Sequence, residues 1–152
     1  MKVEEIKREL LQQCNSFVKR KLQTIEATIK SNQQALHSET KSSAGDKHET
    51  GRAMLQLEME KAGQQWKDAN EMHVLLSKVS IEGVAECVRL GSLVVTSMGA
   101  YFIAISAGVI SVAGTAYFAI SPSSPIGKLL LGKLAQQSIR LHGKEIQIKE
   151  VL

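Results

Sequence analysis

The chain has 152 residues, a mass of 16.6 kDa and a formal net charge of +4 at pH 7. This length allows one ordinary domain or two small ones, and the mild positive charge excludes the dense basic surface of a protein that coats nucleic acid. The two cysteines, Cys14 and Cys87, lack the Cys-X-X-Cys spacing of a zinc or disulfide scaffold, which is consistent with a reducing cytoplasm. The charged N-terminal stretch MKVEEIKREL is not a secretory signal.

The first half of the chain has the periodicity of two long helices. Apolar residues recur every three or four positions, as in the seam of a coiled coil, and no proline precedes Pro122. Trp66 falls in the second row and is expected to pack within it, and His73 is expected within the row or at its flank rather than as a metal ligand. The first row comprises Val3, Ile6, Leu10, Cys14, Phe17, Val18, Leu22, Ile25, Ile29 and Leu36, and the second comprises Leu55, Met59, Ala62, Trp66, Ala69, His73 and Leu76, with Met72 and Val79 beside it.

A short polar segment, SSAGDKHETGR (42–52), joins the two helical patterns. Two helices joined by so short a loop are predicted to fold back as an antiparallel hairpin. Each helix of roughly 33 residues would extend about 50 Å at 1.5 Å per residue. Residues 1–79 are therefore predicted to form a coiled-coil hairpin whose tip lies near residues 42–49.

The second half of the chain has the pattern of strands. Residues 80–89 are the expected linker, and residues 90–152 the expected second domain. No charged residue occurs from Leu90 to Gly127, a length that could cross a bilayer. Glycine, serine, threonine and proline recur throughout this stretch, however, and two-residue alternation favours a set of strands over a membrane helix.

Turn and cap signals complete the predicted second domain. Ser124 is the expected N-cap of one short helix that starts at Pro125 and ends before Gly132. Alternation resumes after it, with a hairpin turn expected at residues 142–144. The predicted fold class is α+β: a coiled-coil hairpin followed by a small, mostly antiparallel sheet with one short helix.

Asp46 and Glu49, at the expected tip, have two compatible interpretations. Asp46 can cap the second helix with Glu49 at the third helical position, as in a capping box. Alternatively, carboxylate oxygens are the hard ligands that Mg²⁺ prefers, and a tip that carries two of them could complete a metal site on another protein. No Cys or third His stands at metal-ligand spacing from His37 and His48.

Two segments resemble the Gre-type transcript cleavage factors of bacteria, and the resemblance covers nearly the whole chain. They are AGDKHETGRAMLQLEMEK at the tip and AISPSSPIGKLLLGK in the second half. Gly45, Asp46 and Glu49 match the tip motif of that family position for position. The resemblance implies a coiled-coil hairpin followed by an FKBP-like domain.

The resemblance also implies a function and a partner. Such factors insert the hairpin into the secondary channel of RNA polymerase, where the tip acids help to hold a catalytic Mg²⁺ shared with the polymerase. The polymerase then cleaves its own backtracked RNA. The expected protein is cytoplasmic, is not itself an enzyme, has no stably bound metal, membrane or small-molecule substrate, and meets the RNA 3′ end only within the polymerase complex. Expected tip contacts are Gly45, Lys47, His48 and Arg52, and expected docking residues are Lys128, Lys133 and Arg140.

The chain departs from the family directly after Glu49. The family usually reads Asn-Ala-Glu-Tyr there, whereas this chain has Thr50, Gly51, Arg52 and Ala53. Arg52 is expected to be an exposed side chain in the first turns of the helix, or alternatively a contact to polymerase or RNA phosphates. One alternative function is therefore a channel binder that blocks cleavage factors without stimulating cleavage.

An FKBP-like prolyl isomerase is a further alternative function, and it requires a pocket lined by aromatic side chains. Adjacent residues on a strand point to opposite faces of the sheet. About half of the aromatic residues in the second domain could therefore line one pocket, which disfavours this alternative. These residues are Tyr101, Phe102, Tyr117 and Phe118.

Overall fold

A computed structural model describes the backbone of residues 1–41 and 45–152, and the side chains of residues 1–38 and 50–152. The architecture is α+β, as predicted. Two long helices, α1 (Val3–Lys41) and α2 (Gly45–Ser77), precede six strands that form one sheet. One short helix, α3 (Pro125–Leu130), lies between the fourth and fifth strands in the chain. The strands are β1 (Leu93–Thr96), β2 (Gly99–Ile103), β3 (Gly108–Val112), β4 (Thr115–Ile120), β5 (Ser138–Leu141) and β6 (Lys144–Val151).

The chain divides into two compact units. One contains residues 1–17 and 74–152, and the other contains residues 18–73. The first turns of α1 thus belong to the same unit as the sheet. Within that unit, Gln13 Nε2 on α1 donates a hydrogen bond to the main-chain oxygen of Ser111 on the edge strand β3, at 3.2 Å.

Burial along α1 follows the predicted apolar row. Leu10, Cys14, Val18 and Ile25 are buried, and most of the other members are half-buried. The row continues seven residues beyond Ile25 to Asn32, a polar residue that is also buried. On this helix the three-and-four periodicity identifies the packed face correctly.

Burial along α2 confirms most of the second row and corrects one of its members. Ala62, Ala69 and Leu76, each seven residues from the next, are buried. Trp66 is 38% exposed, so the prediction that it packs within the row is wrong. His73 is also exposed, which agrees with the flank position rather than one within the row. Both lie four residues after a buried alanine, which places them at the margin of the buried face. Trp66 Nε1 donates to Glu26 Oε1 on α1 at 3.5 Å.

Every alternating segment of the second half forms a strand, and the order in the sheet is β3-β4-β2-β1-β6-β5. The segments that alternation predicts as strands are SLVVT, AYFIAIS, GVISVAG, TAYFAIS, QSIRLHG and EIQIKEV. The neighbouring strands are antiparallel except for β2 and β4, which run parallel, so the sheet is mixed. The stretch without charged residues therefore contains strands β1 to β4. None of the helices in the described part of the chain is long and apolar enough to cross a membrane.

The predicted turn and cap signals are confirmed. Ser124 Oγ accepts a hydrogen bond from the Gly127 N–H at 3.1 Å and donates one to the Ser121 main-chain oxygen at 2.6 Å, which caps α3. His142 and Gly143 both have positive φ, at 50° and 77°, in the tight turn between β5 and β6. This backbone conformation suits a two-residue hairpin loop because its twist matches that of the strands.

The core of the sheet unit is aliphatic, and it includes a residue from the expected linker. Val88 is 2% exposed, and its N–H donates to the Lys133 main-chain oxygen at 2.8 Å. The segment that follows α2 is thereby fixed against the chain after α3. The cluster comprises Val88, Val94, Ile103, Leu130, Ile139, Ile146 and Ile148.

Candidate functional sites

The predicted acidic tip lies largely outside the described residues. The side chains of Gly45, Asp46, Lys47, His48 and Glu49 are not among those that the structure describes, so their expected contacts stay predictions. The backbone of α2, however, begins at Gly45. Asp46 is therefore the second residue of this helix, two positions past the N-cap position that the capping box requires.

Arg52 is half-buried, which corrects the expectation of an exposed side chain. Its Nε atom is buried and has no hydrogen-bond partner among the described residues. A guanidinium group offers five N–H donors and no acceptor, so an unsatisfied buried donor costs free energy until an acceptor reaches it. Arg52 therefore has one buried donor without an acceptor among the described residues.

The three expected docking cations come from one part of the sheet unit. Lys128 is exposed on α3, Lys133 is half-buried just after α3, and Arg140 is exposed on β5. Arg140 lies directly opposite Glu145 of β6 in the antiparallel register. Cross-strand pairs of opposite charge attract each other, so Glu145 offsets part of the positive charge at Arg140. Lys128 and Lys133 therefore carry most of the basic character here.

The aromatic residues of the sheet unit divide between its two faces, as the alternation predicts. Phe102 is fully buried and Tyr117 is 8% exposed. Tyr101 and Phe118 stack on each other, with ring centroids 5.4 Å apart. The burial of Phe102 and Tyr117 removes two of the four rings from any surface pocket.

Asn32 and Lys7 are buried polar residues that the sequence analysis missed. Asn32 is 8% exposed, and its Nδ2 atom has no hydrogen-bond partner among the described residues. For each residue, its position in the seven-residue repeat of α1 is the sequence feature that indicates burial. Asn32 stands seven residues after Ile25, and Lys7 stands seven before Cys14, so both fall on the buried face of α1.

Lys7 is 5% exposed, and its Nζ atom donates to the main-chain oxygen of Leu152 at 3.3 Å. Burial lowers the pKa of this amine below its ordinary value, and the positive charge of Arg89 lowers the pKa further. A cavity of about 200 Å³ lies beside it, between the first turn of α1 and the segment that follows α2.

Cys14 does not have the surroundings of a reactive thiol. Cys14 is fully buried, and the loss of solvation raises its pKa to about 11. A buried thiol with a raised pKa is a poor nucleophile because the thiolate is the reactive form. Cys87 is an exposed free thiol. Within the described residues, no three His, Cys, Asp or Glu side chains form a group that could hold a metal ion.

Comparison of the chain with protein-family models, with curated proteins and with solved structures finds no match. Its functional assignment therefore depends on the residues and their geometry.

Proposed function

We propose that this chain is a Gre-like transcription elongation factor that acts in the secondary channel of RNA polymerase. In this proposal α1 and α2 form an antiparallel coiled-coil hairpin, and the sheet unit is an FKBP-like domain that docks at the channel rim in a bacterial cytoplasm. The observation that carries it is the matched spacing of buried residues on both helices. Val18, Ile25 and Asn32 on α1 lie seven residues apart, as do Ala62, Ala69 and Leu76 on α2.

This spacing supports a rod because a seven-residue repeat keeps one face of each helix against its partner. The hydrogen bond from Trp66 to Glu26 is a direct contact between the two helices. A rod of this kind would carry the start of α2, which contains Asp46 and Glu49, away from the sheet unit.

In the proposed mechanism, Asp46 and Glu49 present carboxylate oxygens to the Mg²⁺ at the polymerase active site. Their position three residues apart in the first turns of α2 suits joint binding of one hard cation. Mg²⁺ bound there would activate water and neutralise phosphate charge for hydrolysis of backtracked RNA. Lys128, Lys133 and Arg140 would contact the polymerase surface, and the chain itself would supply no covalent chemistry.

A channel binder without cleavage activity is the second candidate. It is favoured by the Thr50-Gly51-Arg52 sequence, which replaces the usual family residues directly after Glu49. Arg52 adds a positive charge three residues after Glu49 in the sequence. Such a charge would weaken the binding of a cation by electrostatic repulsion.

The experiment is a cleavage assay on purified bacterial RNA polymerase stalled in a backtracked state. The wild-type chain is expected to shorten the RNA, whereas Asp46→Ala and Glu49→Ala should lose most of this stimulation. Glu60→Ala, which removes an exposed carboxylate from the same helix, is the matched control and should behave as wild type. Polymerase binding without RNA shortening would favour the second candidate, and no binding would exclude both.

A further inference from the structure

The cavity beside Lys7 has an apolar wall and an open mouth. Val3 and Ile81 face it from α1 and from the segment after α2, and Leu152 closes it beyond β6. Val84, also on the wall, is 89% exposed, so the cavity opens to solvent there. Its volume of about 200 Å³ matches about six or seven waters, at roughly 30 Å³ each in the liquid. A small ligand with a short apolar tail fits this space.

The polar end of the cavity is cationic. Lys7 is more than nine-tenths buried, and its single described hydrogen bond, to Leu152, uses one of the three donors of an ammonium group. Arg89 supplies a second positive charge. Its Nη2 atom lies 4.0 Å from the position that a Cβ atom on Gly83 would occupy, and Gly83 lines the cavity.

These two cations make an anion a favourable occupant. Burial and the charge of Arg89 both disfavour the protonated form of Lys7, as the direction of its pKa shift indicates. A bound anion would offset both effects because it attracts the ammonium group in surroundings poor in water. Two groups oppose an anion there: Glu4, which also lines the cavity and carries a negative charge, and the Leu152 main-chain oxygen that already accepts from Lys7.

We propose that this cavity is a binding site for a small carboxylate with a branched apolar tail. The ammonium group of Lys7 would bind the carboxylate, and Val3, Ile81 and Leu152 would contact the tail. A phosphate or sulfate ion would leave the apolar wall without a partner, so the combined features favour an organic acid. This site is independent of the proposed role at the polymerase.

The test is a titration of the isotopically labelled full-length protein, followed by the backbone amide signals in nuclear magnetic resonance. The probes are 3-methylbutanoate and its uncharged analogue 3-methylbutanamide, which has nearly the same shape. The carboxylate is expected to cause saturable shifts at residues 3–7 and 81–84. The amide should bind about tenfold more weakly or worse, since it lacks the charge-assisted hydrogen bond.

Two variants and a control separate the charges around the cavity. Lys7→Met keeps a long side chain but removes the ammonium group, and should weaken carboxylate binding by about tenfold or more. Glu4→Gln removes the opposing carboxylate and should tighten binding severalfold. Lys2→Met removes an exposed lysine just before α1 and should leave binding unchanged.

A purely structural role for Lys7 gives a different outcome. Lys7→Met would then change only stability, and the wild-type protein would show no saturable shifts with the carboxylate. Equal binding of the carboxylate and the amide to the unaltered protein would overturn the proposal without any variant. Undiminished carboxylate binding by a folded Lys7→Met protein would also overturn it.

Discussion

Tyr101 and Phe118 lie opposite each other in the parallel strand pair β2–β4, with their rings stacked at a centroid distance of 5.4 Å and an interplanar angle of 29°. Atom Cε2 of Phe118 is also 3.1 Å from the position that a Cβ atom on residue 99 would occupy. Gly99 therefore gives the ring the space it needs. Phe118 therefore packs against β2 at two points. Its ring stacks on Tyr101 and fills the space beside Gly99, where a larger residue would place a Cβ atom.

Phe118→Ala is expected to lower the free energy of unfolding by about 1–2 kcal/mol, because it removes a partly exposed ring together with its stacking on Tyr101 and its buried area. Phe102→Ala, which empties a fully buried position on β2, should cost about 3–5 kcal/mol. Urea unfolding followed by circular dichroism measures both. Val109→Ala, opposite Phe118 on β3 but 63% exposed, is the control and should change stability little. Equal effects of Phe118→Ala and Val109→Ala would contradict the prediction.

Asn32→Leu is expected to stabilise the helical unit by about 1–2 kcal/mol. The substitution removes a buried amide donor that lacks a partner among the described residues, and it adds apolar surface to the buried face of α1. The sole tryptophan, Trp66, lies in the same unit, so its fluorescence during denaturant unfolding is the measurement. Gln33→Leu, at the next and exposed position, is the control. A loss of stability in Asn32→Leu would show that the amide has a necessary partner.

The burial of Cys14 predicts a loss of stability at alkaline pH. The pKa of its thiol rises from 9.0 to about 11 in the folded chain, because burial disfavours the thiolate. As the pH rises above 9, the unfolded chain loses this proton first, so the free energy of unfolding falls, by roughly 2–3 kcal/mol over the whole shift. The raised pKa of Tyr101, also caused by burial, acts in the same direction, whereas the lowered pKa of Lys7 acts in the opposite one.

Comparison of Cys14→Ala with Cys87→Ala isolates this contribution. Both variants lose one thiol, but only the first loses a buried one. Denaturant midpoints measured between pH 8 and pH 10.5 should decline less steeply for Cys14→Ala. Parallel pH profiles for the two variants would exclude a shifted Cys14 thiol.

Two glycine-to-alanine substitutions are expected to act in opposite directions. Gly63 lies within α2, and a Cβ atom there would meet no atom within 4 Å, so Gly63→Ala should stabilise the helix by about 1 kcal/mol. Gly127 lies in α3, where a Cβ atom would collide with the Ser121 main-chain oxygen and approach Ser124 Oγ to 2.8 Å. Gly127→Ala should therefore destabilise the protein by about 2 kcal/mol or more. Thermal unfolding measures both effects, and a neutral Gly127→Ala would show that the α3 cap moves freely.

Periodicity predicted the elements well because burial acts on whole faces of helices and strands. The apolar rows identified the buried face of α1, and the alternating segments identified all six strands. Alternation does not report strand direction, since parallel and antiparallel neighbours have the same side-chain period. The parallel pairing of β2 with β4 was therefore not predictable from the pattern.

Buried polar residues were not predicted, because the apolar pattern that identifies a buried face does not include them. A search for apolar rows passes over Lys7 and Asn32, although both occupy positions on the buried face of α1. The opposite error occurred at Trp66, whose spacing places it at the margin of the row, where its side chain is partly exposed. The acidic pair at the tip was chosen by residue type and motif, and its side chains lie outside the described part of the chain.

The hydrogen bond between Lys7 and Leu152 joins residues 145 positions apart. A ribosome releases α1 before β6, so the start of α1 must wait for synthesis of the intervening residues before this contact can form. Contacts between such distant positions also slow folding, because a long loop must close before they form. The attachment of the start of α1 to the sheet should thus form late in folding.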